Sequence, residues 1–194
     1  MTAVRVAGAR ASAALGAAVG AAVVAAGCLL LMARPLPIPA LILLFTALLL
    51  AGSAWPLARL GDRPAIDRSI AQTSPVWPVL LIGLIAFGAG RLIGGGHPLL
   101  PATSGAIALN TLAAVAEEAF FRRLLFGLLL PFGVAAAIGG SAVVFALIHV
   151  TVYGWWVVPL DLAAGLILGW QRSASGTWTV PAATHAVANL LVVL

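Results

Sequence analysis

The chain has no lysine, and its positive charge comes from ten arginines set against five acidic residues. Only 8% of its residues are charged, against about 25% in a soluble domain. Cysteine occurs once, as Cys28, which excludes an intrachain disulfide. Lying in an apolar run, Cys28 reads as a small hydrophobe facing lipid or a neighbouring helix. The scarcity of charge excludes a soluble fold: 194 residues cannot hide a composition that is 63% hydrophobic, with a mean hydropathy of +1.16. The arginines are scattered through short segments between apolar runs. Nucleic acid is therefore not an expected partner, because that would need charge clustered on one solvated face.

What fills the sequence instead is apolar runs, at about residues 11–33, 37–57, 76–90, 103–130, 133–153, 155–171 and 179–194. Several exceed the roughly 18 residues that cross a bilayer as a helix. Backbone polar groups cannot stay unpaired in lipid, so each run is expected to be helical. The expected fold is all-α, a polytopic transmembrane bundle of about seven spans, with six or eight left open. The lipid bilayer is then the first partner, and a multi-pass protein of the cell membrane is the expected location. Segment 76–90 is short for a span, and the Gly- and Pro-rich stretch 92–101 reads as a loop or a re-entrant turn. The first run is longer than the core of a signal peptide, so a retained span is expected there. A polar loop at 59–74 separates residues 1–74, a pair of spans with a cytoplasmic loop, from residues 75–194. With the N-terminus cytoplasmic, Arg5, Arg10, Arg59, Arg63, Arg68 and Arg172 fall inside, while Arg34 and Arg91 fall outside, as the positive-inside rule favours. Trp155 and Trp156 read as an interfacial belt, and His97 as a solvated loop residue.

A few residues contradict their surroundings. Ionisable side chains inside a membrane cost about 2.5–3.5 kcal/mol each on insertion scales and usually mark function. The two glutamates of the chain are adjacent, Glu117 and Glu118, and Arg122 and Arg123 follow. They sit near the middle of the 103–130 run, which would be about 42 Å long as a straight helix. Glu118 and Arg122 are four residues apart and share a helix face, so they can neutralise each other. Glu117 points about 100° away, and its charge must be met by protonation, by another helix or by a hydrogen-bond network. Two of the three histidines also lie in apolar runs: His149, one turn after Phe145, and His185, one turn before Asn189. With a turn near Pro131, Glu117 and His149 would lie about 21 and 27 Å from it and could meet. His185, close after a turn near Gly176, reaches that depth only if the helices tilt or the turn is raised. Asp161 is expected to pair with Arg123, to line a chamber, or to cap a bend near Pro159. Arg123 reads as a second charge partner or a cytoplasmic anchor.

A carboxylate with a neutral imidazole can polarise a water and act as general base. A second histidine with an amide donor can stabilise the oxyanion formed when water adds to a carbonyl. That set suits hydrolysis of a peptide or amide bond. The same atoms of Glu117, His149 and His185 could instead hold a divalent metal such as zinc, although the spacing is not His-Glu-x-x-His. A serine or cysteine nucleophile is not expected, since Cys28 is remote and no serine has an adjacent base. A structural charge cluster and an ion path remain as rival readings, the latter weakened by the lack of an inverted repeat.

At these residues the chain resembles the CAAX-protease-like (CPBP, or Abi) family of intramembrane peptidases. Glu117-Glu118-Ala-Phe-Phe-Arg122 is similar to its EExxxR motif, Phe145-Ala-Leu-Ile-His149 to FxxxH, and His185-Ala-Val-Ala-Asn189 to HxxxN/D, in order and on separate runs. Gly165-Leu-Ile-Leu-Gly169, Gly176 and Pro181 fall where that family carries small residues and a proline. The resemblance covers about residues 105–194, and nothing earlier matches a motif. It implies a helical fold around a chamber open to one side of the membrane. It also implies that Glu117 and His149 activate water, that His185 and Asn189 support the oxyanion, and that Glu118 and Arg122 form the ion pair holding the site together. Whether the mechanism is glutamate- or metal-dependent stays open. Eukaryotic members trim prenylated proteins; bacterial-looking ones are linked to peptide maturation, bacteriocin self-immunity or scaffolding. The arginine-only, alanine-rich composition points to a high-GC bacterium, so a membrane-associated peptide or protein is the expected substrate, and a non-catalytic scaffold or immunity protein the alternative.

Overall fold

The computed structural model describes residues 2–33, 36–54, 74–93 and 103–193. Arg34, Arg59, Arg63, Arg68, His97 and most of the stretch 92–101 lie outside the described residues, as do the side chains of Arg5 and Arg10. Helix α1 covers Thr2–Met32, α2 Ile38–Ala54 and α3 Val76–Ile93. The next rod is composite. Helix α4 (Ser104–Glu118) passes without a break into a π-helical stretch (Ala119–Leu125), a short α5 (Phe126–Leu129) and a 3-10 turn (Leu130–Phe132). Helix α6 covers Val134–Tyr153; after a 3-10 turn at Trp155–Val157, α7 covers Val158–Ser175 and α8 covers Thr179–Val193. No strand occurs among the described residues, so the fold is an all-α bundle.

Three of these helices are long and apolar enough to cross a membrane: Ser12–Met32 within α1, then α3 and α6. Helix α3 runs three residues past the expected end of its apolar run, and Arg91 in its last turn is therefore helical. The run at 103–130 differs most from expectation, because its middle is π-helical. The boundaries of the other elements follow from local chemistry. Thr103 caps α4, its Oγ1 accepting the Ala106 N–H at 3.1 Å. Gly176, at φ 69°, supplies the left-handed residue that ends α7 and lets α8 begin three residues later.

The bundle buries charged and polar side chains beside an apolar core and leaves many large apolar side chains on its outside. Leu15, Leu43, Trp77, Leu81, Ile85, Leu92, Trp155 and Trp156 are exposed, while Glu117, Glu118, Arg122, His149, Gln171, Arg172, Thr184 and His185 are buried. That arrangement fits a lipid solvent, in which exposed leucine costs nothing and exposed charge does. The buried apolar cluster joins Val24 and Leu31 of α1, Leu44, Phe45 and Leu48 of α2, Phe120, Phe121 and Leu124 of the π stretch, and Phe145 and Ile148 of α6. Glycine allows the closest approaches. A methyl group at Gly52 would collide with the backbone of Ala119, where the π stretch begins, so α2 lies directly on that turn.

Polar cross-links fix the remaining helices. Gln171 of α7 donates from Nε2 to the Val79 carbonyl of α3 at 2.8 Å and to Thr184 Oγ1 of α8 at 2.9 Å. Arg172 donates from Nε to the Arg122 carbonyl of the π stretch at 3.1 Å, and its guanidinium lies 5.5 Å from the Phe126 ring. Arg172 is thus buried within the protein, and α7 runs on past it to Ser175, whereas the sequence placed it in a connecting segment on the cytoplasmic side. This bond also answers the depth problem. Arg172, four residues before Gly176, is held against Arg122, nine residues before Pro131, so α8 and His185 start above the level of the Pro131 turn.

Candidate active site

The three motifs meet around the ring of Phe145. The His149 ring lies 4.7 Å from its centroid, the His185 ring 5.8 Å, and the Arg122 guanidinium 5.0 Å over its face. These groups come from α6, α8 and the π stretch. Phe121 packs edge-on against the same ring at 5.5 Å, tying it to the apolar core.

Glu118 is the hub. It is fully buried, its Oε2 lies 3.3 Å from Arg122 Nε, and its Oε1 accepts from His185 Nδ1 at 2.9 Å. One carboxylate thus ties the first motif to the third. Arg122 is also fully buried; its nitrogens make no hydrogen bond among the described residues and are held by the Glu118 charge and the Phe145 and Phe121 rings. Glu117 is buried as well, within electrostatic range of Arg122, Asp161 and His185. The π turn begins directly after the two glutamates, and such turns recur at functional sites because they redirect consecutive side chains.

His149 donates from Nδ1 to the carbonyl of Phe145, one turn back in its own helix, at 2.8 Å. That bond leaves Nε2 as the nitrogen with a lone pair in the neutral ring. Asp161 of α7 brings Oδ2 to 3.4 Å from the same Nδ1, and Tyr153 stacks on the far face of the imidazole at 5.9 Å. Of the three placements expected for Asp161, the structure has the chamber wall; Arg123 donates from Nη1 to the Ser53 carbonyl of α2. The sequence left these placements open because a lone Asp outside any motif carries no signal of its own. Its position one turn before Gly165, on the helix that packs on α6, was the one hint available.

A cavity of about 410 Å³ opens beside these residues. Its walls are mostly apolar, from Phe87, Leu160, Ile167 and Leu168 among others, with Arg91, Asp161, His185 and Asn189 as the polar groups. Asn189 donates from Nδ2 to the Asn110 carbonyl at 3.2 Å, which leaves its second N–H available to the cavity side. Arg91 donates from Nε to the Leu191 carbonyl at 2.9 Å, so this arginine stands in the chamber wall rather than in an external loop. Glu117 and His149 sit behind the wall. No group of three or more His, Cys, Asp or Glu side chains among the described residues is arranged to hold a metal ion. Glu117, His149 and His185 are not drawn together into such a group, while the Nδ1 bonds to Glu118 and to the Phe145 carbonyl leave Nε2 of both histidines open.

Residues 99–191 match a family model described as type II CAAX prenyl endopeptidase Rce1-like. The match contains all three motifs and stops short of α1, α2 and α3. No curated protein and no solved structure matches the chain.

Proposed function

We propose, on the footing of the match of residues 99–191 to a CAAX prenyl endopeptidase family model, an intramembrane endopeptidase in which Glu117 and His149 activate a water molecule. The substrate is a membrane-associated peptide or protein that enters the cavity laterally or from one membrane face. Water gives its proton to the Glu117/His149 pair as its oxygen adds to the scissile carbonyl. Negative charge then develops on the carbonyl oxygen, where Asn189 and His185 donate N–H groups. In its imidazolium form His185 donates from both nitrogens, Nδ1 to Glu118 and Nε2 towards the chamber. Return of the proton to the leaving amine completes cleavage.

One observation carries this reading: side chains of three sequence-distant motifs gather on one phenylalanine ring at the edge of a mostly apolar cavity. A volume of about 410 Å³ lies within the roughly 300–1,000 Å³ common for ligand sites. Glu118 and Arg122 support the site indirectly, by fixing His185 and by neutralising each other.

The test is cleavage of a library of lipid-anchored, internally quenched peptides by the purified chain in lipid nanodiscs. Wild type is expected to cut a subset of the library. Folded wild type that cuts nothing would favour a non-catalytic scaffold or bacteriocin-immunity protein. Metal analysis of the same preparation, with and without chelator, decides the cofactor; a stoichiometric zinc would require the side chains of Glu117, His149 and His185 to regroup.

A further inference from the structure

Asp161 stands outside the three motifs, on α7, yet its carboxylate reaches the Nδ1 of His149 on α6. Three observations distinguish it from a surface acid that drifted inwards. Its Oδ2 is sealed from solvent, makes no hydrogen bond among the described residues and stands 3.4 Å from His149 Nδ1. The side chain as a whole is 21% exposed and lines the cavity, so it joins the chamber to a histidine that lies behind the wall. It also falls in the first turn of α7, where a carboxylate suits the helix dipole, but no side-chain cap bond forms there. The charged or titratable groups around it are His149 from α6, Glu117 from α4 and His185 from α8, with Arg91 of α3 on the same cavity wall.

We propose that Asp161 is a positioning residue for His149. Together with the Phe145 carbonyl it keeps the proton on Nδ1, so that Nε2 presents its lone pair as the base. The carbonyl alone is a neutral acceptor already shared with the helix backbone, and it cannot supply a counter-charge when Nε2 takes the proton of water. Asp161 can, by closing the remaining few tenths of an ångström to Nδ1. Asparagine in that place would offer an N–H where a lone pair is needed and favour the wrong tautomer, as in aspartate–histidine pairs of other hydrolases. The catalytic meaning of this arrangement rests on the peptidase reading above; the tautomer does not.

The experiment uses full-length protein labelled with nitrogen-15 histidine in lipid nanodiscs. The chain has three histidines, so His97→Gln and His149→Gln assign the ring signals. Wild-type His149 is expected to show a protonated Nδ1 and a bare Nε2. Asp161→Asn should move a measurable fraction of the proton to Nε2, and Asp161→Glu should restore the wild-type pattern. On a lipid-anchored quenched peptide, Asp161→Asn should lower kcat about 10²-fold with KM changed less than about threefold, and Asp161→Glu should recover part of the rate. Should Asp161→Asn fail to fold by thermal unfolding, Asp161→Ala replaces it, with the same loss of kcat expected. Ring signals and kcat that ignore every substitution at Asp161 overturn the proposal, as does a loss of folding with an unchanged tautomer. A ring that responds in a protein that cuts no peptide sustains the positioning and sinks the peptidase reading instead.

Discussion

At the residue scale, Glu118 and Arg122 carry the clearest energetic consequence. Both are fully buried and neutralise each other four residues apart in one rod. Removing one partner leaves an uncompensated charge inside the bundle. Glu118→Ala is expected to destabilise by about 3–5 kcal/mol, read as a fall in the unfolding midpoint in detergent. Replacing both by methionine should cost less than either single change, because no lone charge remains. Glu117→Ala and His149→Ala should behave differently: membrane insertion and unfolding midpoint near wild type, cleavage of the peptide library abolished. A variant that loses both together would mark that residue as structural. These residues were legible in the sequence because charge in an apolar run has so few bland explanations. Asp161 was less so, because its meaning depends on which histidine lies across the helix interface.

Among the elements, the π stretch at Ala119–Leu125 matters most. Hydrophobicity marked 103–130 as one long helix, and nothing in the composition of Ala-Phe-Phe-Arg-Arg-Leu-Leu distinguishes a π turn from an α turn. Neighbouring helices accompany it: Gly52 of α2 presses on its first backbone unit, and Arg172 of α7 takes up the carbonyl of Arg122. Gly52→Ala should therefore destabilise by about 1–3 kcal/mol through overpacking, with unfolding in detergent as the measure. Gly88→Ala on α3 is the matched control. A methyl group there meets nothing, and the change should be neutral or stabilising by up to about 1 kcal/mol.

For the whole molecule, the burial of Arg172 and Arg91 changes the topology argument. Both were counted as loop charges, yet one is buried against the π stretch and the other lies in the chamber wall. Without them the balance is Arg5, Arg10, Arg59, Arg63 and Arg68 against Arg34, which favours the same cytoplasmic N-terminus more cleanly. Reporter fusions test it: a fusion within residues 59–68 should report the cytoplasm, and one at Arg34 the opposite side. The reverse pattern would invert the bundle and move the cavity mouth to the other membrane face.

The amino-acid sequence by itself determined the solvent, the all-α class and the out-of-place polar residues on which the proposed chemistry rests. Those follow from composition and from the high free energy of isolated charge in lipid, which are local properties of the chain. Tertiary structure alone decided which glutamate meets which histidine. Glu118, the expected ion-pair partner, also holds His185; Asp161 became the neighbour of His149; and two arginines moved from loop to interior. Such pairings depend on helix tilt, corner height and side-chain reach, and these emerge only when the rods pack.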